Sequence, residues 1–271
     1  MSGAGWPAID WSAPWFEPWR AVGEPVDRAV AQGVPVHRAL QAVADAAAAP
    51  DGALAQHRAP LRFVPQSELP EGMAYERFIF ETGAVPTRDN LHDFFNGLVW
   101  LRFPCTKRRM NQLQAQALAT QAPGDPRGPV RDALTLLDEN GLLLQAPEPL
   151  WQALRQRQWQ RLGVELRPLW AQARVELLGH ALLEKLVSPW KSITAHVYQA
   201  DLAIHFDDGP DAPLAQDLRP ERLATKPFTP LPVLGIPGWW PASEMPVFYD
   251  DSTVFRSARR GAVAEMRDTP A

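Results

Sequence analysis

Two histidines, each followed four residues later by a polar partner, carry most of the chemical content of this chain. His92 precedes Asn96, and His180 precedes Glu184. On an α-helix that spacing puts both side chains on one face, within reach of one ligand. Imidazole with carboxylate could move a proton or bind a divalent cation. Imidazole with carboxamide is a poor metal pair, so His92 and Asn96 read better as groups that orient a substrate. Lys107 could orient or stabilise negative charge. The candidate catalytic set is therefore His92, Asn96, Lys107, His180 and Glu184. Each pair also has a plain structural use, as an intrahelical hydrogen bond or a cap on a neighbouring loop. The pattern His-Glu-x-x-His of zinc proteases is absent.

Weaker candidates surround these. His196 could bring a third imidazole, making a zinc or iron shell of His92, His180, His196 and Glu184. His37, His57 and His205 read as ordinary polar residues. Asp138-Glu139-Asn140-Gly141 could give carboxylates to a cation, but it lacks a calcium-loop pattern and a turn is the favoured account. Asp250, Asp251 and Arg256 suggest an ion pair that anchors the C-terminal segment. Lys107-Arg108-Arg109 is the one basic cluster and suits a solvated helix face. Cys105, alone in the chain, excludes an internal disulfide. It reads as a small buried residue, or as a thiol with a lowered pKa at a helix start. No nucleotide-binding glycine loop, nucleophile elbow or Cys-x-x-Cys is present.

The elements that must position these groups follow from periodicity and punctuation. A net charge of −4 gives no push toward nucleic acid or an anionic membrane. No apolar run approaches the ~20 residues of a membrane span, and no secretory signal is visible, so a cytoplasmic location is expected. Four of the 11 tryptophans fall in residues 1–24, which read as an extended segment packed on the body. Helices are expected over 35–49, 90–101, 107–120, 150–161 and 179–187, with Asn90 or Asp89 as N-cap and Thr106 capping the third. Residues 75–81 read as a strand. Residues 134–144 read as a β-hairpin turning at Asn140-Gly141, with a helix as the alternative. Residues 174–178 suit a strand or a helix start, 123–129 a linker, and 206–222 a surface loop. The segment 227–246 carries prolines among apolar residues, which excludes helix and central strand. It reads as a strap with a type II turn at Ile236-Pro237-Gly238-Trp239.

Several of these runs resemble the signature of an uncharacterised bacterial family, the domain of unknown function numbered three thousand and twenty-five. They are His92-Asp93-Phe94-Phe95-Asn96-Gly97-Leu98-Val99-Trp100-Leu101-Arg102-Phe103-Pro104, then residues 131–141, 179–185 and 231–241. The resemblance spans about 75–256 and implies no activity, fold or catalytic residue. From the residues themselves a mostly helical α+β domain is expected, with a small antiparallel sheet and a proline-rich C-terminal strap. Its parts are a Trp/Pro-rich segment (1–24), one globular domain (25–258) and a frayed tail (259–271). The functional expectation is a small-molecule enzyme, hydrolase or lyase, with metal assistance left open. The alternative is a binding or scaffold protein whose buried polar groups only lock the core. No cofactor and no oligomeric state can be read.

Overall fold

A computed structural model of the chain describes residues 6–48, 61–120, 128–201 and 204–258. The expected helix stop at 50–52, His57, most of the 123–129 linker and the tail 259–271 lie outside the described residues.

The helix that carries His92 and Asn96 is the centre of the molecule. It is α4 (Leu91–Arg102), buried from Asp93 to Leu101. Asn90 caps it by accepting from the Asp93 amide at 2.8 Å. A helix buried all round must satisfy its polar side chains. Asp93 is held by Arg88 at 2.8 Å, and Arg102 by Glu176. Packed on α4 are α1 (Arg20–Ala31), α2 (Val36–Ala48), α5 (Pro104–Thr120), α8 (His180–Lys185) and strand β2 (Ala84–Thr87). Gly97 permits the α2 approach, since a Cβ there would lie 2.2 Å from Leu40 Cδ1.

Two sheets flank the helices. β1 (Arg62–Pro65) pairs in parallel with β2. The larger sheet runs β4–β3–β5–β6, with β4 Arg174–Leu177, β3 Gly141–Gln145, β5 Thr194–Tyr198 and β6 Phe228–Pro232. Its β3–β4 and β5–β6 pairings are antiparallel, whereas β3 and β5 run parallel. The molecule is thus a single mixed α+β domain, mostly helical. Proline in β6 is tolerated because that strand lies at the sheet edge. The strap then continues as short 3₁₀ turns, and Trp239 N–H donates to the Ile236 carbonyl at 3.1 Å around Gly238, whose φ is 82°. That is the expected type II turn.

Several local expectations are overturned. Residues 75–81 form α3 (Tyr75–Thr82), not a strand. Helical spacing buries Phe78 and Ile79, leaves Phe80 exposed, and ends at Gly83 in the left-handed region. The hairpin is absent. Residues 129–140 form α6 (Pro129–Asn140), which runs straight into β3, and β3 pairs with β4 and β5 instead. Sheet partners distant in sequence decided this, not the Asn-Gly signal. The helix expected over 150–161 is α7 (Glu148–Arg155), ended by Arg157 at φ 52°. The supposed loop 206–222 contains α9 (Asp211–Asp217) and α10 (Pro220–Ala224). Thr106 does not cap α5. Asp211 accepts from the Cys105 and Thr106 amides at 2.8 and 2.7 Å, filling the cap from another element.

The N-terminal segment is helical from Arg20 rather than extended through residue 24. Trp11, Trp15 and Trp19 are buried in the same core that reaches Phe255. Trp6 and Trp11 indoles share the Asp27 carboxylate, while the buried Trp15 and Trp19 indoles lack the partner such groups usually have. Among the described residues no helix is long and apolar enough to cross a membrane.

Candidate functional site

The site forms where two helix–strand junctions meet. α6 enters β3 at Asn140-Gly141, and β4 leaves for α8 at Leu178-Gly179. The Leu178 and Gly179 amides both donate to the Gly141 carbonyl at 2.9 Å. Only glycine suits position 179, because a Cβ there would lie 2.5 Å from Asn140 N and Glu139 O. These are backbone atoms that cannot swing away. The close approach sets the first residue of α8, His180, against the last turn of α6, which carries Asp138 and Glu139. Lys185 ties the same two elements together by donating to Asn140 Oδ1 at 2.8 Å. The first turn of α4 delivers His92 from the third side.

The two histidines meet directly. His92 Nε2 and His180 Nε2 are 3.0 Å apart, with the rings edge to face at 76°. His92 Nδ1 lies 2.9 Å from Glu184 Oε2. Glu139 Oε1 lies 3.7 Å from His180 Nε2, and ligand atoms of His92, Glu139 and His180 all fall within 4.8 Å of one another. Exposure grades across the site. The His180 side chain is 5% exposed at the floor, and Glu139, His92 and Glu184 are 34%, 35% and 38% exposed at the mouth.

Behind the histidines lies a buried polar chain. Lys107 Nζ donates to Asn96 Oδ1 at 2.8 Å and to Asp138, and Asn96 Nδ2 donates to the Tyr75 hydroxyl at 3.0 Å. Asp138 Oδ1 also lies 3.8 Å from His180 Nδ1, so this one carboxylate joins the lysine to the imidazole. A cavity of about 50 Å³ borders the chain, lined by Tyr75, Trp100, Lys107 and Asp138 among others.

These environments set the charges. Burial pushes the His180 imidazole down to about 4, so it is neutral at pH 7. Burial would raise the Asp138 carboxyl, but Lys107 and the imidazoles outweigh it and hold the group below its ordinary value. Burial and the Asp138 charge raise Glu139. Burial dominates at Tyr75 too, keeping the phenol protonated.

All five candidates, His92, Asn96, Lys107, His180 and Glu184, thus fall in one connected cluster. The Glu184 carboxylate meets His92 of α4, not His180 of its own helix. Glu139, Asp138 and Tyr75 went unselected. Asp138 and Glu139 are weighed in the sequence as carboxylates for a cation but favoured as a turn, and Tyr75 stands in an expected strand. A helical reading of 129–140 would have placed both carboxylates in its last turn.

The remaining candidates fall elsewhere. His196 sits within β5 opposite Gly141 and is not in the group of converging ligand atoms. His37 lies half-buried on α2 and His205 is exposed outside the cluster. Lys107 is buried, not part of a solvated basic face. Arg109 donates to the Leu218 carbonyl at 3.1 Å. Asp251 pairs with Lys191 at 2.9 Å, Asp250 accepts from Gln160 at 2.6 Å, and Arg256 donates to the Thr253 carbonyl, so these three form no ion pair together. Burial and Asp211 push the Cys105 thiol up to about 11, away from the reactive thiolate.

No curated protein and no solved structure shows significant similarity to the chain. The profile of one family, described as "Protein of unknown function (DUF3025)", matches residues 61–259 and so takes in every residue of this cluster. The chain therefore belongs to the DUF3025 family.

Proposed function

We propose that this protein is a small-molecule enzyme of hydrolase or lyase type, with its reaction centre at the mouth formed by His92, His180 and Glu139. The observation that carries this reading is the 3.0 Å approach of two imidazole Nε2 atoms beside a carboxylate, with His92, Glu139 and Glu184 each about a third exposed. Glu184 accepts the Nδ1 proton of His92, which fixes the ring and supports positive charge on it during proton transfer. Lys107, through Asp138, positions His180. Asn96 and Tyr75 hold Lys107 in place. Perturbed ionisable groups gathered in one place are more common at reaction centres than elsewhere.

The test is a panel of chromogenic esters, phosphoesters and lactones, with hydroxy acids for dehydration, run on the wild type and on His92→Ala. Turnover that falls at least ~100-fold in the variant, the scale of lost acid–base catalysis, supports the reading. A panel on which the two proteins behave alike overturns it. A second reading is a scaffold or binding protein whose polar groups lock the core. The fully paired Lys107–Asn96–Tyr75 chain favours it, since satisfied buried networks specify a fold.

A further inference from the structure

We propose that His92, His180 and Glu139 bind one borderline divalent cation of the zinc class, with Glu184 and Asp138 orienting the two imidazoles. This rests on reading the cleft as a reaction centre and changes how the imidazoles act there, as ligands rather than as a proton-transfer pair.

The tautomers argue for it. Glu184 Oε2 lies 2.9 Å from His92 Nδ1, so the proton of that ring belongs on Nδ1 and its Nε2 presents a lone pair. At His180 the Nδ1 atom is buried with no partner in hydrogen-bonding geometry. The groups facing it are acceptors, the Asp138 carboxylate at 3.8 Å and the Asp138 backbone. They favour a proton on Nδ1, which again leaves a lone pair on Nε2. Two lone pairs then oppose each other across 3.0 Å. Without a metal, either the His180 proton sits on Nε2 as a donor to His92 and a bare buried Nδ1 faces a carboxylate, or His92 carries both protons and donates from Nε2 to His180. A cation between the Nε2 atoms removes the conflict and leaves both Nδ1 protons facing oxygen. Histidine backed by carboxylate is the usual arrangement behind a metal-binding imidazole.

The distances fit once Glu139 closes on the two imidazoles. Tetrahedral zinc bound by nitrogen at ~2.0–2.1 Å separates two ligand atoms by roughly 3.3–3.4 Å. The histidine nitrogens stand at 3.0 Å and the Glu139–His180 pair at 3.7 Å. Shifts of a few tenths of an ångström bring both to that value, and the partly exposed Glu139 side chain must also swing toward His92, from which it stands within 4.8 Å. The donor set, two imidazoles and one carboxylate, is that of catalytic zinc and of some iron sites, where a further position stays open. The charges agree. Asp138, Glu139 and Glu184 outnumber Lys107 and Lys185 around the two rings. His196 takes no part, so the site draws on α4, α6 and α8 alone.

The experiment is titration of chelator-treated full-length protein with Zn²⁺ by calorimetry and with Co²⁺ by visible absorption. The wild type should take up one equivalent and give the intense four- or five-coordinate Co²⁺ bands. His92→Ala and Glu139→Gln should each weaken binding more than ~100-fold, and Glu184→Gln by 10- to 100-fold, the range for groups that orient a ligand. His205→Ala should bind like the wild type. His180→Ala risks the fold because its ring is buried, so the two mouth variants carry the test. Uptake equal in wild type and His92→Ala, or only the pale octahedral Co²⁺ spectrum, overturns the proposal. Chelated protein that keeps full turnover overturns the cation while sparing the enzyme. One tight Zn²⁺ with no turnover on the panel supports the site while counting against the enzymatic reading.

Discussion

Two polar clusters hang from the same helix, one turn apart, and they are built to opposite plans. At Asn96 each side-chain polar atom has a partner, and the Lys107 ammonium is enclosed with Asn96 and Asp138. At His92 the side chains are about a third exposed, and two nitrogens are turned onto each other. A closed network has finished its hydrogen bonding and can only hold shape. An open one keeps capacity for something from outside. The contrast shows why residue type alone does not separate function from structure on this helix. The neighbours do, and Asp138 belongs to both clusters.

Breaking the closed cluster should have the largest effect on stability. Lys107→Met leaves the partly buried Asp138 carboxylate without its cation, and the cost of about 3–5 kcal/mol for losing one partner of a fully buried pair is an upper bound here. Urea unfolding measures this directly. A loss below ~1 kcal/mol, the scale of exposed ion pairs, would erase the distinction between the clusters.

Next in size is the hinge between them. Gly179→Ala pushes a methyl into the backbone of Glu139 and Asn140, and such overpacking costs typically about 1–3 kcal/mol. It should also part His180 from Glu139. Imidazole resonances of His92 and His180 would report it, and unchanged shifts would show that Gly179 does not set the cleft.

At the open cluster the sign of the comparison reverses. His92→Ala should change stability by less than ~1 kcal/mol, as expected for a partly exposed side chain. Cation uptake and turnover should fall regardless. If instead the melting curve collapses by several kcal/mol, the open cluster is as structural as the closed one.

The smallest effect lies outside both, on the strap. Hydrogen bonds from Thr253 and Lys191 hold the Asp251 carboxyl at about 2, below the ordinary carboxylate value. Its contribution is present above the unfolded-state pKa of roughly 4 and is lost as pH falls through about 2. The difference in urea midpoint between wild type and Asp251→Asn should therefore be constant above pH 5 and close toward pH 2. A gap that persists at pH 2 would remove Asp251 as a titrating anchor.

The core helix was legible because its apolar stripe and Asn90 cap are local signals, and so was the turn at Gly238, which needs a positive φ. His92, Asn96, His180 and Glu184 stand out because each interrupts an apolar run, where burial demands a partner, whereas Lys107 sits in a basic cluster. The identity of those partners was not legible. Residues 134–144 satisfied a hairpin pattern locally, and only pairing of β3 with β4 and β5 made 129–140 a helix. The turn reading that goes with the hairpin set Asp138 and Glu139 apart from the two histidines. Likewise the cap on α5 comes from Asp211, 105 and 106 residues along the chain, where no local pattern could find it.

The sequence by itself determined that the polar groups set in apolar runs, His92, Asn96 and His180 among them, need partners wherever packing desolvates them. Tertiary structure decided that His92 meets His180 and Glu184 while Asn96 meets Lys107 and Tyr75. Such contacts join residues up to 92 positions apart, and their existence depends on packing between helices and on one glycine that lets two backbones touch.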